Sequence, residues 1–266
     1  MTTTAQLVLK RISRLRETER QAIIRALTTQ QSFPANHDVL NPNAPFPGIH
    51  LILSGFACRY AVLQSGQRQI LAYLVPGDVF DVGACFGQRS GSYVQSLSAL
   101  RTTTLPLHEL LSLAHQSPEL VREFWRQMAV EEATTRQWQL NVGRRSAIQR
   151  LSHLLCECFT RLRAVGLANG DSCPLPMTQA DIADALALTP VHINRTLSEL
   201  RKAGLAVFKN RQLTILDAPA LYAVAEFEPD YLQVEAVTLP TPSEMTAHLP
   251  GASRPSPLSS THNASP

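Results

Sequence analysis

The chain has 266 residues, 44% of them hydrophobic, with 24 Lys and Arg against 21 Asp and Glu for a formal charge of +3. Such a length admits one to three domains with a well-filled core, and the composition is that of a globular protein. No apolar run approaches the roughly 20 residues that span a bilayer, the opening MTTTAQLVLKRISRLRE lacks the pattern of a secretory signal, and an odd count of five cysteines argues against a disulfide framework and for the cytoplasm.

Residues 5–29 read as a short helical lead-in, with Leu15, Ile23, Ile24 and Leu27 on one side of a charged sequence. Residues 31–107 read as β, opened by Pro34, Pro42, Pro45 and Pro47. Ile49 to Leu53 is an apolar strand broken at Gly55. Phe56 to Leu63 and Arg68 to Val75 flank the turn Gln64-Ser65-Gly66-Gln67 as a hairpin, and Pro76-Gly77-Asp78 is a second turn. Tyr93 to Leu107 supplies the closing strands. Many short strands with regular turns predict a small sandwich or barrel.

Residues 117–142 form the long-helix candidate: Ser117 as N-cap, Pro118 at the first position, Glu119 in the first turn. Leu120, Phe124, Met128, Glu131, Thr135, Trp138 and Val142 recur as a heptad-like seam, which suits either a coiled coil or packing on the chain's own β-domain. Gly143 marks a break. Arg144 to Val165 is a further helix, with Ile148, Leu151, Leu155, Phe159 and Leu162 facing the core, and Leu167 to Pro176 reads as loop.

Met177 to Leu205 carries the most information. Ile182, Ala183 and Leu186 make one apolar face, Ala187 and Leu188 turn the chain, and Ile193, Leu197 and Leu200 make a second face. Thr178 with Asp181 has capping-box spacing, Thr189 caps a second helix that starts at Pro190, and Gly204 is a C′ stop. Caps, turn and faces agree on a helix-turn-helix, whose second helix reads the DNA major groove. Val207-Phe208, the turn Lys209 to Gln212, and Leu213 to Leu216 follow as a hairpin wing, with Lys209 and Arg211 at its tip to touch phosphate. Residues 144–211 hold ten Lys and Arg against five acids, whereas residues 217–266 hold one Arg against six. The positive charge thus coincides with the DNA-reading motif. Beyond Glu228 the pattern fades into Pro, Ser and Thr, which predicts a disordered tail that can be cut away without affecting DNA binding.

With Ile193, Leu197 and Leu200 inward, the opposite face carries Val191, Asn194, Arg195 and Ser198, with His192 at its edge and Thr189 at its start. Arg195 suits guanine O6 and N7, Asn194 suits adenine N6 and N7, and His192 reaches a base edge or a phosphate. The plain alternative for Arg195 is an ion pair with Glu199.

In the tokens DIADALALT and VHINRTLSELRKAGL the chain resembles the Crp/Fnr family of bacterial transcription regulators. LAYLVPGDVFD (Leu71 to Asp81) and GFACRYAVLQSGQRQI (Gly55 to Ile70) are similar to that family's sensor-domain strands, so the resemblance covers roughly residues 15–225. It implies an α+β protein: an N-terminal double-stranded β-roll of jelly-roll type (1–116), a dimerisation helix (117–143) and a C-terminal winged helix-turn-helix (144–227), followed by the tail (228–266). It further implies a homodimer on palindromic double-stranded DNA, with RNA polymerase as a partner and no membrane. Well-known members carry Glu where Val191 stands. Valine cannot accept from cytosine, so the half-site is expected to differ from TGTGA or TTGAT.

Members that bind cyclic AMP carry a Gly-Glu pair after the PGD turn and an Arg-Ser or Arg-Thr before the next strand. Here Asp81-Val82 stands in the first place, and Arg89 is out of register with Ser90-Gly91 or Gly91-Ser92 in the second. Cyclic AMP bound in the usual way is therefore not expected. No cysteine precedes Cys58, against the iron–sulfur cluster of Fnr-type members. Cys58 and Cys85 read as buried small hydrophobes. Cys156 and Cys158 face apart on a helix, and His153 with Cys156 makes too few ligands for zinc. Haem on a histidine, or a redox switch at Cys58 or Cys85, stays open, so the effector is unassigned. No nucleophile–base pair or phosphate-binding glycine loop favours an enzyme. A ligand-binding module without DNA binding, or a regulator without an effector, remain as alternatives.

Overall fold

Two four-stranded antiparallel sheets, built between residues 30 and 106, face each other across an apolar core. The computed structural model describes residues 15–27, 30–42, 48–80, 82 and 91–234. Helix α1 (Glu17–Ala26) leads in, and strands β1 (Gln30–Phe33), β2 (Asp38–Leu40), β3 (Gly48–Ser54), β4 (Ala57–Val62), β5 (Arg68–Leu74), β6 (Val79–Phe80), β7 (Tyr93–Ser96) and β8 (Leu100–Pro106) follow. One sheet runs β1-β8-β3-β6 and the other β2-β7-β4-β5. Leu40, Ala57, Leu74 and Val94 of the second sheet meet Ile52, Phe80 and Leu100 of the first. Gly55, at φ +86°, lets β3 turn into β4 where a Cβ would lie 2.1 Å from the Ala99 carbonyl oxygen.

The second sheet has two buried faces. Because side chains alternate along a strand, Ala57 and Leu74 enter the roll while Cys58, Tyr60 and Tyr73 enter a core shared with the C-terminal half of the chain, and the register shift between Arg59 and Tyr60 brings Ile70 of β5 to that same side. That half comprises α2 (Leu107–Gln116), α3 (Pro118–Gly143), α4 (Ala147–Ala164), β9 (Ser172–Pro174), α5 (Gln179–Leu186), α6 (Pro190–Lys202), β10 (Ala206–Lys209), β11 (Gln212–Ile215), α7 (Ala218–Ala225) and a 3₁₀ turn, Pro229–Leu232. No helix among the described residues is long and apolar enough to cross a membrane.

Local signals set the elements as expected in most places. Ser117 Oγ accepts from the Leu120 amide, with Pro118 at the first helical position, and α3 ends at Gly143. Helix α4 is buried on nearly all sides, from Leu151 to Leu162. Three expectations are corrected, and one unassigned segment gains an element. Helix α2 is new, since residues 108–116 had no assignment. Part of the expected loop 167–176 is strand β9, which pairs with β11 to make the wing three-stranded. The expected seam of α3 is divided: Leu120 and Phe124 pack on α1, α2 and β3, and Trp138 meets Tyr73 edge-on at 5.7 Å, so these three turn toward their own chain. The stripe left open is Val121, Trp125, Met128, Glu132, Thr135, Gln139 and Val142, none of them buried.

The order also extends past Glu228, where a tail was expected. Leu232 is buried, and Tyr231 donates its hydroxyl to Glu157 at 3.0 Å. Residues 235–266, the rest of that expected tail, lie outside the described residues, as do residues 1–14 of the lead-in. Ending the chain after Glu228 removes both contacts and is expected to cost about 3–5 kcal/mol in stability. Ending it after Val234 is expected to leave stability and DNA affinity unchanged. Thermal unfolding and gel shifts on the two truncations check this.

Candidate nucleic-acid interface

Thr178 caps α5 with a complete box: its hydroxyl accepts from the Asp181 amide at 3.1 Å, and Asp181 accepts from the Thr178 amide at 2.9 Å. Ala187 takes the left-handed conformation (φ 52°) and turns the chain. Thr189 Oγ1 then accepts from the His192 amide at 3.2 Å, with Pro190 at the first position of α6. Gly204 follows the C-cap at φ +71°. The three-residue turn between two capped helices holds them as a rigid pair.

Ile193, Thr196 and Leu200 are the buried residues of α6, and Leu197 is half-buried. Thr196 joins this face because its hydroxyl is satisfied by the His192 carbonyl at 3.0 Å. The opposite face is open. Val191 is 81% exposed, Asn194 and Arg195 are exposed, and His192 and Ser198 are half-buried. Arg195 is held loosely: Nε lies 3.7 Å from Glu199 Oε1 and Nη2 lies 3.1 Å from His192 Nε2. The ion pair anticipated as the alternative for Arg195 is thus present, but at this exposure and distance it is worth well under about 1 kcal/mol. It leaves the guanidinium free to exchange partners. Asn194 donates to Gln179 Oε1 at 3.3 Å. Sequence reading passes over Gln179, though its place next to the Thr178 cap puts it beside the recognition helix.

The wing tip is a two-residue turn, Asn210-Arg211, with φ of 52° and 59°, between β10 and β11. Two positive φ values match the twist of a tight hairpin. Asn suits this conformation and Arg does not, so Arg211 is kept there against its backbone preference. Lys209 and Arg211 are both exposed.

The sensor half holds a groove of about 530 Å³ between β5 and α3, lined among others by Arg59, Leu71, Met128, Glu131, Trp138 and Arg161. A cyclic phosphate needs an uncommitted cation. Arg59 is paired to Glu131, and Arg161 to Asp78 and Glu157. Both of these arginines thus already have carboxylate partners. Asp81 and Arg89, on which the sequence argument turned, lie outside the described residues, as does Cys85. Burial pushes the Cys58 thiol up to about 12, and likewise that of Cys156, which keeps both protonated and unreactive.

Residues 30–117 match the model of the cyclic nucleotide-binding domain, and residues 149–224 match that of the Crp-like helix-turn-helix domain. The chain belongs to the Crp/Fnr family of transcription regulators. Among relatives of this Crp/Fnr protein, the nitrogen fixation regulation protein FixK of Azorhizobium caulinodans is 27% identical, over 75% of this chain and 80% of its own. The fumarate and nitrate reduction regulatory protein of Vibrio cholerae is 25% identical, over 79% and 84%. The structure of FixK2 from Bradyrhizobium japonicum superposes with a TM-score of 0.66 at 26% identity, covering 74% of this chain and 96% of that one. These relatives are transcription regulators, and the α+β architecture of β-roll, long helix and winged helix-turn-helix is the family's own.

Proposed function

We propose that the protein acts in the cytoplasm as a homodimer that reads a palindromic operator and answers to a signal other than cyclic AMP bound in the usual way. The observation that carries this is the open Val191–Asn194–Arg195 face on a doubly capped helix, with two cations at the wing tip. Arg195, Asn194, His192 and Val191 address base edges. Thr189, Ser198, Lys209 and Arg211 address phosphates, and so place the helix without specifying sequence. Sensor (1–116), dimerisation helix (117–143) and DNA-reading part (from 144, extended here to 234) divide the work, with RNA polymerase as the partner that turns operator position into activation or repression.

The dimer forms along the open stripe of α3. Trp125 is 66% exposed on it and anchors the pairing, while Glu132, Thr135 and Gln139 weaken its middle. Trp125→Glu is expected to yield a monomer that has lost at least about 100-fold in operator affinity, because each half-site is then bound alone. Sedimentation and gel shifts check this; a variant that stays dimeric contradicts the seam.

A further inference from the structure

We propose that Arg68, a residue of the sensor's β5, is a positioning residue for DNA recognition: it clamps helix α5 and offsets one of the two negative charges that α5 carries. The proposal rests on the reading that α6 addresses DNA.

Arg68 is held from the sensor side first. Its Nη2 donates to Gln95 Oε1 at 2.8 Å and lies 3.2 Å from Cys58 Sγ, and the guanidinium stacks 4.5 Å over the Tyr60 ring. So fixed, it presents Nη1 to α5, 3.1 Å from Asp181 Oδ1 and 3.3 Å from Asp184 Oδ2. The two aspartates are three apart and share one helix face. Asp181 divides its oxygens between duties, Oδ2 closing the Thr178 cap and Oδ1 meeting Arg68. Two further β5 side chains grip the same helix: Tyr73 donates to the Asp181 carbonyl at 2.9 Å and Gln69 to the Ala185 carbonyl at 3.2 Å. Helix α5 shares its core with α6 and meets it again through Gln179 and Asn194. Where β5 holds α5, it sets α6.

Charge gives the clamp a second consequence. The DNA-binding half carries few acids, and two of them sit together on α5, a helix of the DNA-reading pair. Unpaired, they repel phosphate. The cation that offsets part of this charge comes from the sensor domain, 113 positions earlier in the chain than Asp181, so the offset depends on the two domains staying docked. In the docked arrangement Val191, Asn194 and Arg195 are open, so the clamp leaves the DNA-reading face uncovered.

The test compares the full-length protein with Arg68→Ala on its selected operator and on a scrambled duplex. Arg68→Ala is expected to lose at least tenfold in operator affinity and only a few-fold on the scrambled duplex, where phosphate repulsion alone acts, with the fold retained. Arg68→Glu is expected to lose more, and adding Asp184→Arg to it to recover part of the loss. Spin labels at Ser65→Cys and Lys202→Cys are expected to show a broader distance distribution in Arg68→Ala. Equal operator affinity of wild type and Arg68→Ala overturns the proposal, and so does a gain in affinity, which would make the clamp a brake. In both cases the wild type's own specific binding keeps the DNA-reading function intact. A wild type with no preference for any operator overturns both.

Discussion

Arg161→Ala is expected to destabilise the protein by about 3–5 kcal/mol, since it strips the partner from a buried charge. Arg161 on α4 reaches Asp78 in the β5–β6 turn, donates to the Tyr73 carbonyl at 3.0 Å, and lies 3.5 Å from Glu157. Glu157 is fully buried and also accepts from Trp138 Nε1 at 3.1 Å and from Tyr231. One guanidinium thereby joins the sensor's turn, the long helix and the last turn of the fold. Burial pulls the Arg161 pKa down, but Asp78 and Glu157 outweigh that and it stands raised. Burial raises the Glu157 carboxyl above its ordinary 4.5, held back chiefly by Arg161. With Arg161 gone, the folded state keeps Glu157 protonated to higher pH than the unfolded chain does. The variant is therefore penalised least near pH 4.5 and progressively more as pH rises, when Glu157 must either hold a proton or carry an unpaired charge. Adding Glu157→Gln is expected to recover part of the loss at pH 8 and little at pH 5. Urea unfolding across pH measures this; a loss under 1 kcal/mol at every pH would contradict it.

Arg195→Ala is expected to cost about 1–3 kcal/mol of specific binding per half-site and to leave folding unchanged. Its side chain is 69% exposed and its bonds to Glu199 and His192 are surface contacts, so little stability rides on it. Binding to scrambled DNA should fall only slightly, by the loss of one cation. Gel shifts on operator and scrambled duplex, with a thermal melt of the variant, separate the effects. Unchanged operator affinity would contradict the assignment of the DNA-reading face.

What could be read in advance was local. Thr178 with Asp181, Thr189 with Pro190, and Gly204 each act within a few residues, and the structure has them in those roles. The β4–β5 hairpin was legible for the same reason, its strands pairing from Val62 opposite Arg68. Long-range pairing was not. Strand β9 is three residues, one of them a proline, and exists only because β11 lies beside it. Helix α2 begins at Pro106 without a side-chain cap, so nothing announced its start. Periodicity showed that α3 has an apolar stripe but not which body it faces: two overlapping stripes are present, and Leu120, Phe124 and Trp138 went to the chain's own core. Glu157 and Arg161 stand four apart on α4, and no local rule marks such a pair as buried. The open recognition face followed from spacing alone, whereas the role of Arg68 appears only when sheet and helix are docked.

The most direct test is selection of binding sites from random duplex DNA with the full-length protein, run with and without cyclic AMP. The account predicts one two-fold palindrome, its half-sites about one helical turn apart, enriched equally in both. Enrichment only with cyclic AMP would contradict the reading of the sensor, and no enriched site in either condition would contradict the DNA-reading function itself.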